Sequence, residues 1–446
     1  MKRKWVTGIL TFLFLSGGWF GARAAPNQGL IAAGQCGPLP APAGNIINVD
    51  PSQESNLDDI VNNATAGDTI LLADGTYDLN GDYLWFDTSG VTMRSASGNR
   101  EAVILDGDYV TTEIVVIAAS DVTIADLTLK RAMYHPIHVT AGNSANTENT
   151  LIYNVHVIDP GQQAIKINPN GPRTYFPDNG TVACSHIELT DAGRPQITAI
   201  NGSCYTGGID GHGAWGWTVR DNLIEGFWCD QGLSEHAVHF WTGSRDTLVE
   251  RNELRDNARG VGFGLGQNGA GRDYGANLCP GAGYVGHYDG IIRNNFIFQG
   301  RAELQSSGAG FECGICLEQA CGAKVFHNTV ASTAAPFSSI EWRFSETDAE
   351  LANNLASHNL MERDGATAAL AGNLENAPLS LFVDGSGGDL HLAADATAAI
   401  DQGVSIASGM SNDDFDGAPR DANPDLGADE YPLNLPFAVY LPLLVR

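Results

Sequence analysis

The chain has 446 residues, 43% hydrophobic and 17% charged, so it can bury a large core and is not a disordered polymer. Its formal net charge of −28 argues against a nucleic-acid binder, since phosphate contacts need clustered basic side chains. A polyanionic partner is compatible with that charge only where a local basic patch or a bound cation offsets the global field.

Lys2, Arg3 and Lys4, the apolar stretch Trp5 to Gly21 and the small-residue run Ala22-Arg23-Ala24-Ala25 predict a secretory signal peptide over residues 1–25. The mature protein is therefore expected outside the cell or on its surface, as a monomer. Apart from the signal, no segment is long enough to span a bilayer. Eight cysteines follow: Cys36, Cys184, Cys204, Cys229, Cys279, Cys313, Cys316 and Cys321. An even number in an oxidising compartment predicts disulfides, with the pairing left open. Cys313-x-x-Cys316 with Cys321 is the zinc alternative, but spacing offers it no fourth ligand.

Ser55 to Asn63 reads as a short amphipathic helix, and Gly67-Asp-Thr-Ile-Leu-Leu-Ala-Asp-Gly-Thr-Tyr77 as a first strand and turn. Between residues 120 and 360 a short pattern recurs: apolar, two variable residues, Asn, one variable residue, usually apolar. Its copies are Val219-Arg-Asp-Asn222, Val249-Glu-Arg-Asn252, Ile292-Arg-Asn-Asn295, Val325-Phe-His-Asn328 and Leu351-Ala-Asn-Asn354, with Leu151-Ile-Tyr-Asn154 a weaker one. The strong copies lie 30, 43, 33 and 26 residues apart. Short β-rich runs at such a period predict a parallel solenoid, with the Asn at one corner bonding its equivalent in the next coil.

A second strand per coil aligns above that corner. The segments begin at His135, Gln163, Gly207, His236, Arg259, Cys313 and Ser338, with Ile or Val third in all seven. Alternation sends the third and fifth side chains inward and the fourth and sixth outward. The long intervals, 44 and 54 residues, hold loops that would wall a groove. After about residue 362 the Asn pattern stops. Residues 45–361 are thus expected to form the solenoid, 362–431 a C-terminal cap, and 432–446 an apolar tail broken by prolines.

The repeats, the Gly67–Tyr77 segment and the Asn corner resemble secreted right-handed parallel β-helix proteins, the group containing pectate, alginate and chondroitin lyases. Asp416-Gly-Ala-Pro-Arg420 and Pro424-Asp-Leu-Gly-Ala-Asp-Glu-Tyr431 are similar to the C-terminal cap of bacterial exported members. The resemblance covers roughly residues 45 to 431. It implies an all-β, right-handed parallel β-helix with an N-terminal helical cap and a C-terminal capping segment. Gly211-His212-Gly213 resembles the Gly-His-Gly of polygalacturonases, without the acidic motif that precedes it there. Lyases of the group use a Lys base with an Arg, often beside calcium, which carries over to Lys166 with Arg173, Arg259 or Arg343.

Stacking of the outward columns at ~4.8 Å per coil would gather Lys166, Asp210, His212, His239 and Trp241 into one patch. β-Elimination needs a neutralised carboxylate, a base for the C5 proton and an acid for the leaving oxygen. Lys166, His212 and His239, with Asp210, are the expected catalytic set. His138, Asn168, Glu235, His236, Trp241 and Arg259 are the expected substrate contacts. Calcium is the candidate cation, with Asp210 a candidate ligand, and the expected partner is an acidic polysaccharide. The alternatives are a glycoside hydrolase using Asp210 and Glu235, and a non-catalytic carbohydrate-binding surface protein.

Overall fold

The computed structural model describes residues 36–266 and 271–431. The signal peptide at 1–25 and the tail at 432–446 lie outside these residues. Three long parallel sheets run the length of the described chain, and each coil contributes one strand to each in turn. The chain is thus a parallel β-helix. Its interior is a single column of buried Ile, Val, Leu and Phe, because period-two alternation places one face of every strand inside.

One ten-stranded sheet, here the front sheet, carries all seven aligned segments. Their register matches the alignment at every step: Ile137 pairs Ile165, Ile165 pairs Ile209, Ile209 pairs Val238, Val238 pairs Val261, Val261 pairs Ile315, and Ile315 pairs Ile340. The 44-residue interval hides no extra coil. It contains the helix Arg194–Asn201, which the sequence presents only as a loop. Three further strands extend the sheet: Leu84–Phe86 and Glu113–Ile117 before, and Leu360–Arg363 after.

The Asn corner forms a hydrogen-bonded ladder through Asn222, Asn252, Asn295, Asn328, Asn354 and Asn373. Left-handed backbone belongs to the residue before each rung, such as Asp221, Arg251, Asn294 and Asn353, all with φ between 50° and 58°. One corner thus divides two roles between neighbours. Asn154 is the left-handed residue of its own coil, so Leu151-Ile-Tyr-Asn154 is displaced by one position from the ladder. The rungs there are Val155 and Ser185.

Asn295 accepts from the Asn252 backbone N–H at 3.0 Å and donates to the Val249 carbonyl at 3.0 Å, both buried. Asn295→Ala orphans both groups at ~1–3 kcal/mol each, so denaturant unfolding is expected to show a loss of ~2–6 kcal/mol. A loss below ~1 kcal/mol would mean the ladder is incidental.

The N-terminal cap is a 3-10 turn Pro51–Asn56 leading into the helix Leu57–Asn62, whose Leu57 and Val61 face the first coils. Asp50 caps it, accepting from Ser52 and Gln53. At the other end the sheets continue through Thr367–Ala371, past the expected boundary at 361, before residues to 431 close the coil with their own small core. Ser411 to Gly417 is part of that closure: Asp414 is buried and Asp413 pairs with Arg251 at 2.9 Å.

All eight cysteines are paired, as Cys36–Cys184, Cys204–Cys229, Cys279–Cys321 and Cys313–Cys316. Cys321 is therefore unavailable to a zinc site with Cys313 and Cys316. These bonds fit an extracellular protein. Among the described residues no helix is long and apolar enough to cross a membrane.

Candidate functional site

The outer face of the front sheet carries three side-chain columns, not the two that simple alternation gives. The first and fourth side chains of a strand lie side by side. The His135 and His138 rings sit 5.7 Å apart, His236 and His239 4.3 Å apart, and Ser338 donates to Glu341 at 3.0 Å. The fourth column is consequently buried between the first and the sixth. Lys166 is 4% exposed, Asp210 3% and His239 0%, which corrects the expectation that they face solvent. The sixth column is the accessible one, with Asn168, His212, Trp241, Glu318 and Arg343 half-buried along the groove. Gly211 lies between Asp210 and His212 on the inner face, where a Cβ would sit 2.4 Å from the Phe240 ring.

Asp210 is the centre of the cluster. Its Oδ2 accepts from the Lys166 ammonium and lies 3.0 Å from His212 Nε2. Its Oδ1 accepts from Trp241 Nε1 at 2.9 Å and stands 3.6 Å from His239 Nδ1. Lys166 Nζ is 3.0 Å from His212 Nε2. The Trp241 ring roofs the site, 4.5 Å from His212 and stacked on His239 at 5.4 Å. On the far side His239 Nε2 donates to the Gly264 carbonyl, 2.9 Å away, and its Nδ1 stands 3.5 Å from Glu235, an ion-pair separation.

Burial disfavours charge on Asp210, but the neighbouring His212 and Lys166 outweigh it and hold the carboxyl well below the usual range. Burial likewise disfavours the Lys166 ammonium, and the Asp210 charge more than restores it. Lys166 thus stays protonated and is a poor base, contrary to the role the sequence suggests. Burial pushes His212 below its ordinary value despite Asp210, so it is neutral near pH 7. His239 is raised: burial lowers it, but Glu235 and Asp210 win. His236, buried and near His239, is held well below the ordinary range.

The structure therefore joins Lys166, Asp210, His212, His239 and Trp241 in one network, with Glu235 and His236 behind it. Two expected contacts are engaged elsewhere. His138 bonds Glu113 at 2.9 Å, and Arg259 is paired with Glu312. Of the three arginines, Arg343 is held by Asp364 and Glu318. Arg173, exposed on the loop after Gln163–Asn168, makes no ion pair among the described residues.

A calcium ion does not fit Asp210, because both its oxygens already accept from N–H donors and the surrounding groups are nitrogen rather than oxygen ligands. The hydrolase pair fits no better. Asp210 and Glu235 both approach the same His239 nitrogen, so a buried imidazole occupies the space that a scissile bond would need.

The sequence alignment overlooked a row of aromatics. The five exposed aromatic side chains among the described residues all flank the front sheet. Tyr83, Tyr134 and Phe337 immediately precede strands Leu84–Phe86, His135–Thr140 and Ser338–Arg343; Tyr205 precedes Gly207–His212 by two residues, and Trp215 follows it by three. An aromatic just ahead of an aligned first position was the available signal. Tyr83, Tyr134 and Tyr205 recur every second coil, a step of ~9.6 Å at ~4.8 Å per coil.

No family model matches the chain, and no curated protein matches it. Solved structures do. The pectate lyase Pel9A superposes with a TM-score of 0.52 at 16% identity, covering 87% of this chain and 96% of that one. A rhamnogalacturonan lyase gives 0.45 at 13% identity, over 85% and 96% of the two chains. A polygalacturonase from Erwinia carotovora ssp. carotovora gives 0.43 at 11%, over 78% and 99%. The chain shares its fold, the parallel β-helix, with the pectate lyase Pel9A.

Proposed function

We propose that the protein is a carbohydrate-active enzyme that cleaves an acidic, uronate-containing polysaccharide by β-elimination along the front sheet. The observation that carries this reading is the Asp210–His212 pair. His212 is accessible, is neutral near pH 7 and has Nε2 3.0 Å from an ionised buried carboxylate. With Nε2–H donated to Asp210, Nδ1 is left as the proton acceptor of the ring.

In this mechanism His212 Nδ1 removes the C5 proton of a uronate residue. The released electron pair forms the C4–C5 double bond, and the C4–oxygen bond to the leaving sugar breaks. Arg173, exposed and without an ion pair among the described residues, neutralises the uronate carboxylate so that the C5 proton becomes acidic enough to transfer. Lys166 keeps Asp210 ionised and so orients His212; it is a positioning residue. Tyr205, exposed and in electrostatic contact with Lys166, is placed to protonate the leaving oxygen. Trp241 and the aromatic row offer apolar faces to sugar rings. The fold shared with a solved pectate lyase supports a carbohydrate-active class, and no step requires calcium.

The test is ultraviolet absorbance of unsaturated uronate ends, with pectate, alginate, chondroitin, hyaluronan and heparan as substrates, in calcium and in chelator. A rise on one substrate, unchanged by chelator, is expected. Because His212 must be unprotonated and its pKa is lowered, the acid limb of kcat/KM should fall below pH ~6.5, the ordinary histidine value. An acid limb above that value, or a rate that requires calcium, would contradict the assignment. Absent absorbance with new reducing ends would mean hydrolysis, and no product at all a binding protein.

A further inference from the structure

The Cys313–Cys316 disulfide is not isolated. The His236 imidazole reaches it across an intervening coil, because the first strand position of that histidine lies two coils earlier. The residue in between on the fourth column is Gly262, where a Cβ would stand 2.6 Å from the His236 ring atoms. Glycine there leaves the passage the ring occupies. The His236 ring and the two sulfur atoms offer ligand atoms that all lie within 4.8 Å of one another. All three residues are at most 2% exposed, and His236 Nδ1 is buried without a hydrogen-bond partner. A buried polar atom left without a partner calls for an explanation, and an absent ligand is one.

Zinc takes thiolate sulfur and imidazole nitrogen, whereas calcium takes oxygen, so this ligand set selects a soft divalent ion. Spacing along the chain could not reveal it, since the third ligand lies far upstream of the Cys-x-x-Cys and the nearby Cys321 is bonded to Cys279.

We propose that His236, Cys313 and Cys316 form a thiol-gated zinc site, closed by the disulfide and opened when that one bond is reduced. A dithiol reductant transfers two electrons and two protons to the S–S bond, becomes a cyclic disulfide itself, and leaves two protein thiols. Zinc then displaces the two thiol protons and binds both thiolates with the neutral imidazole of His236. The test reads metal binding alone and requires no carbohydrate activity.

The folded protein is treated anaerobically with a dithiol, desalted, and titrated with zinc against a colorimetric chelator, with bound metal counted by elemental analysis. Cobalt(II) is titrated in parallel to read thiolate-to-metal charge transfer. The reduced chain should bind one more equivalent of zinc than the oxidised chain and show the cobalt band. His236→Gln, which keeps the disulfide, should weaken that binding at least tenfold with the same number of titratable thiols. Cys313→Ser with Cys316→Ser should remove both the extra equivalent and the band. No extra zinc after reduction would overturn the proposal. So would uptake undiminished by the serine pair, which would place it at another disulfide, or affinity unchanged in His236→Gln.

Discussion

Asp210→Ala should cost ~3–5 kcal/mol of stability, the usual penalty for removing one partner of a buried ion pair. The carboxylate and Lys166 are both almost fully buried, and among the described residues the ammonium has no other carboxylate in contact. Removing Asp210 strands that ammonium, and also orphans Trp241 Nε1 and the His212 contact. The double variant Asp210→Ala with Lys166→Met removes the stranded charge as well. It should recover a substantial part of the loss, because an apolar replacement of a whole buried pair is often close to neutral. Denaturant unfolding of the two variants and the parent measures both. Additive losses would show that the two groups do not depend on each other.

His212→Gln is expected to act on rate and leave stability alone. The side chain is partly exposed, and glutamine can still donate to Asp210, but it cannot accept a proton. A loss of ~10²–10⁴ in kcat is the usual contribution of a positioned general base. Stability should change by less than ~1 kcal/mol, as for most substitutions outside a packed core. The contrast with Asp210→Ala separates the base from the groups that hold it. A comparable fall in stability would make His212 a structural residue, and an unaffected kcat would move the base elsewhere.

Register was legible because the inward third position tolerates only apolar side chains, and Ile or Val there aligned seven strands without a slip. The convergence of Lys166, Asp210, His212, His239 and Trp241 followed from that register alone. Their burial did not. Alternation places the fourth side chain outside the interior and the first inside it, but the first column stands beside the fourth and covers it, which the side-chain pattern does not announce. Protonation was equally hidden. Lys166 reads as a base by its residue type, and only its contact with Asp210 makes it a permanent cation. Arg259 and Arg343 are as suitable as Arg173 by residue type, but each is held by an acid one coil further on, Glu312 beside Cys313 and Asp364 beside Arg363. His236 beside Cys313 and Cys316 required the missing side chain of Gly262, a feature visible only once coils are stacked.

The central claim is that an Asp210-oriented His212 removes a proton to cleave a uronate chain. The most direct measurement counts unsaturated ends and new reducing ends in the same digest, for the parent and for His212→Gln. The account predicts equal numbers of the two in the parent and a joint loss of at least a hundredfold in the variant. Reducing ends that outnumber unsaturated ends, or a variant that cleaves as fast as the parent, would contradict it.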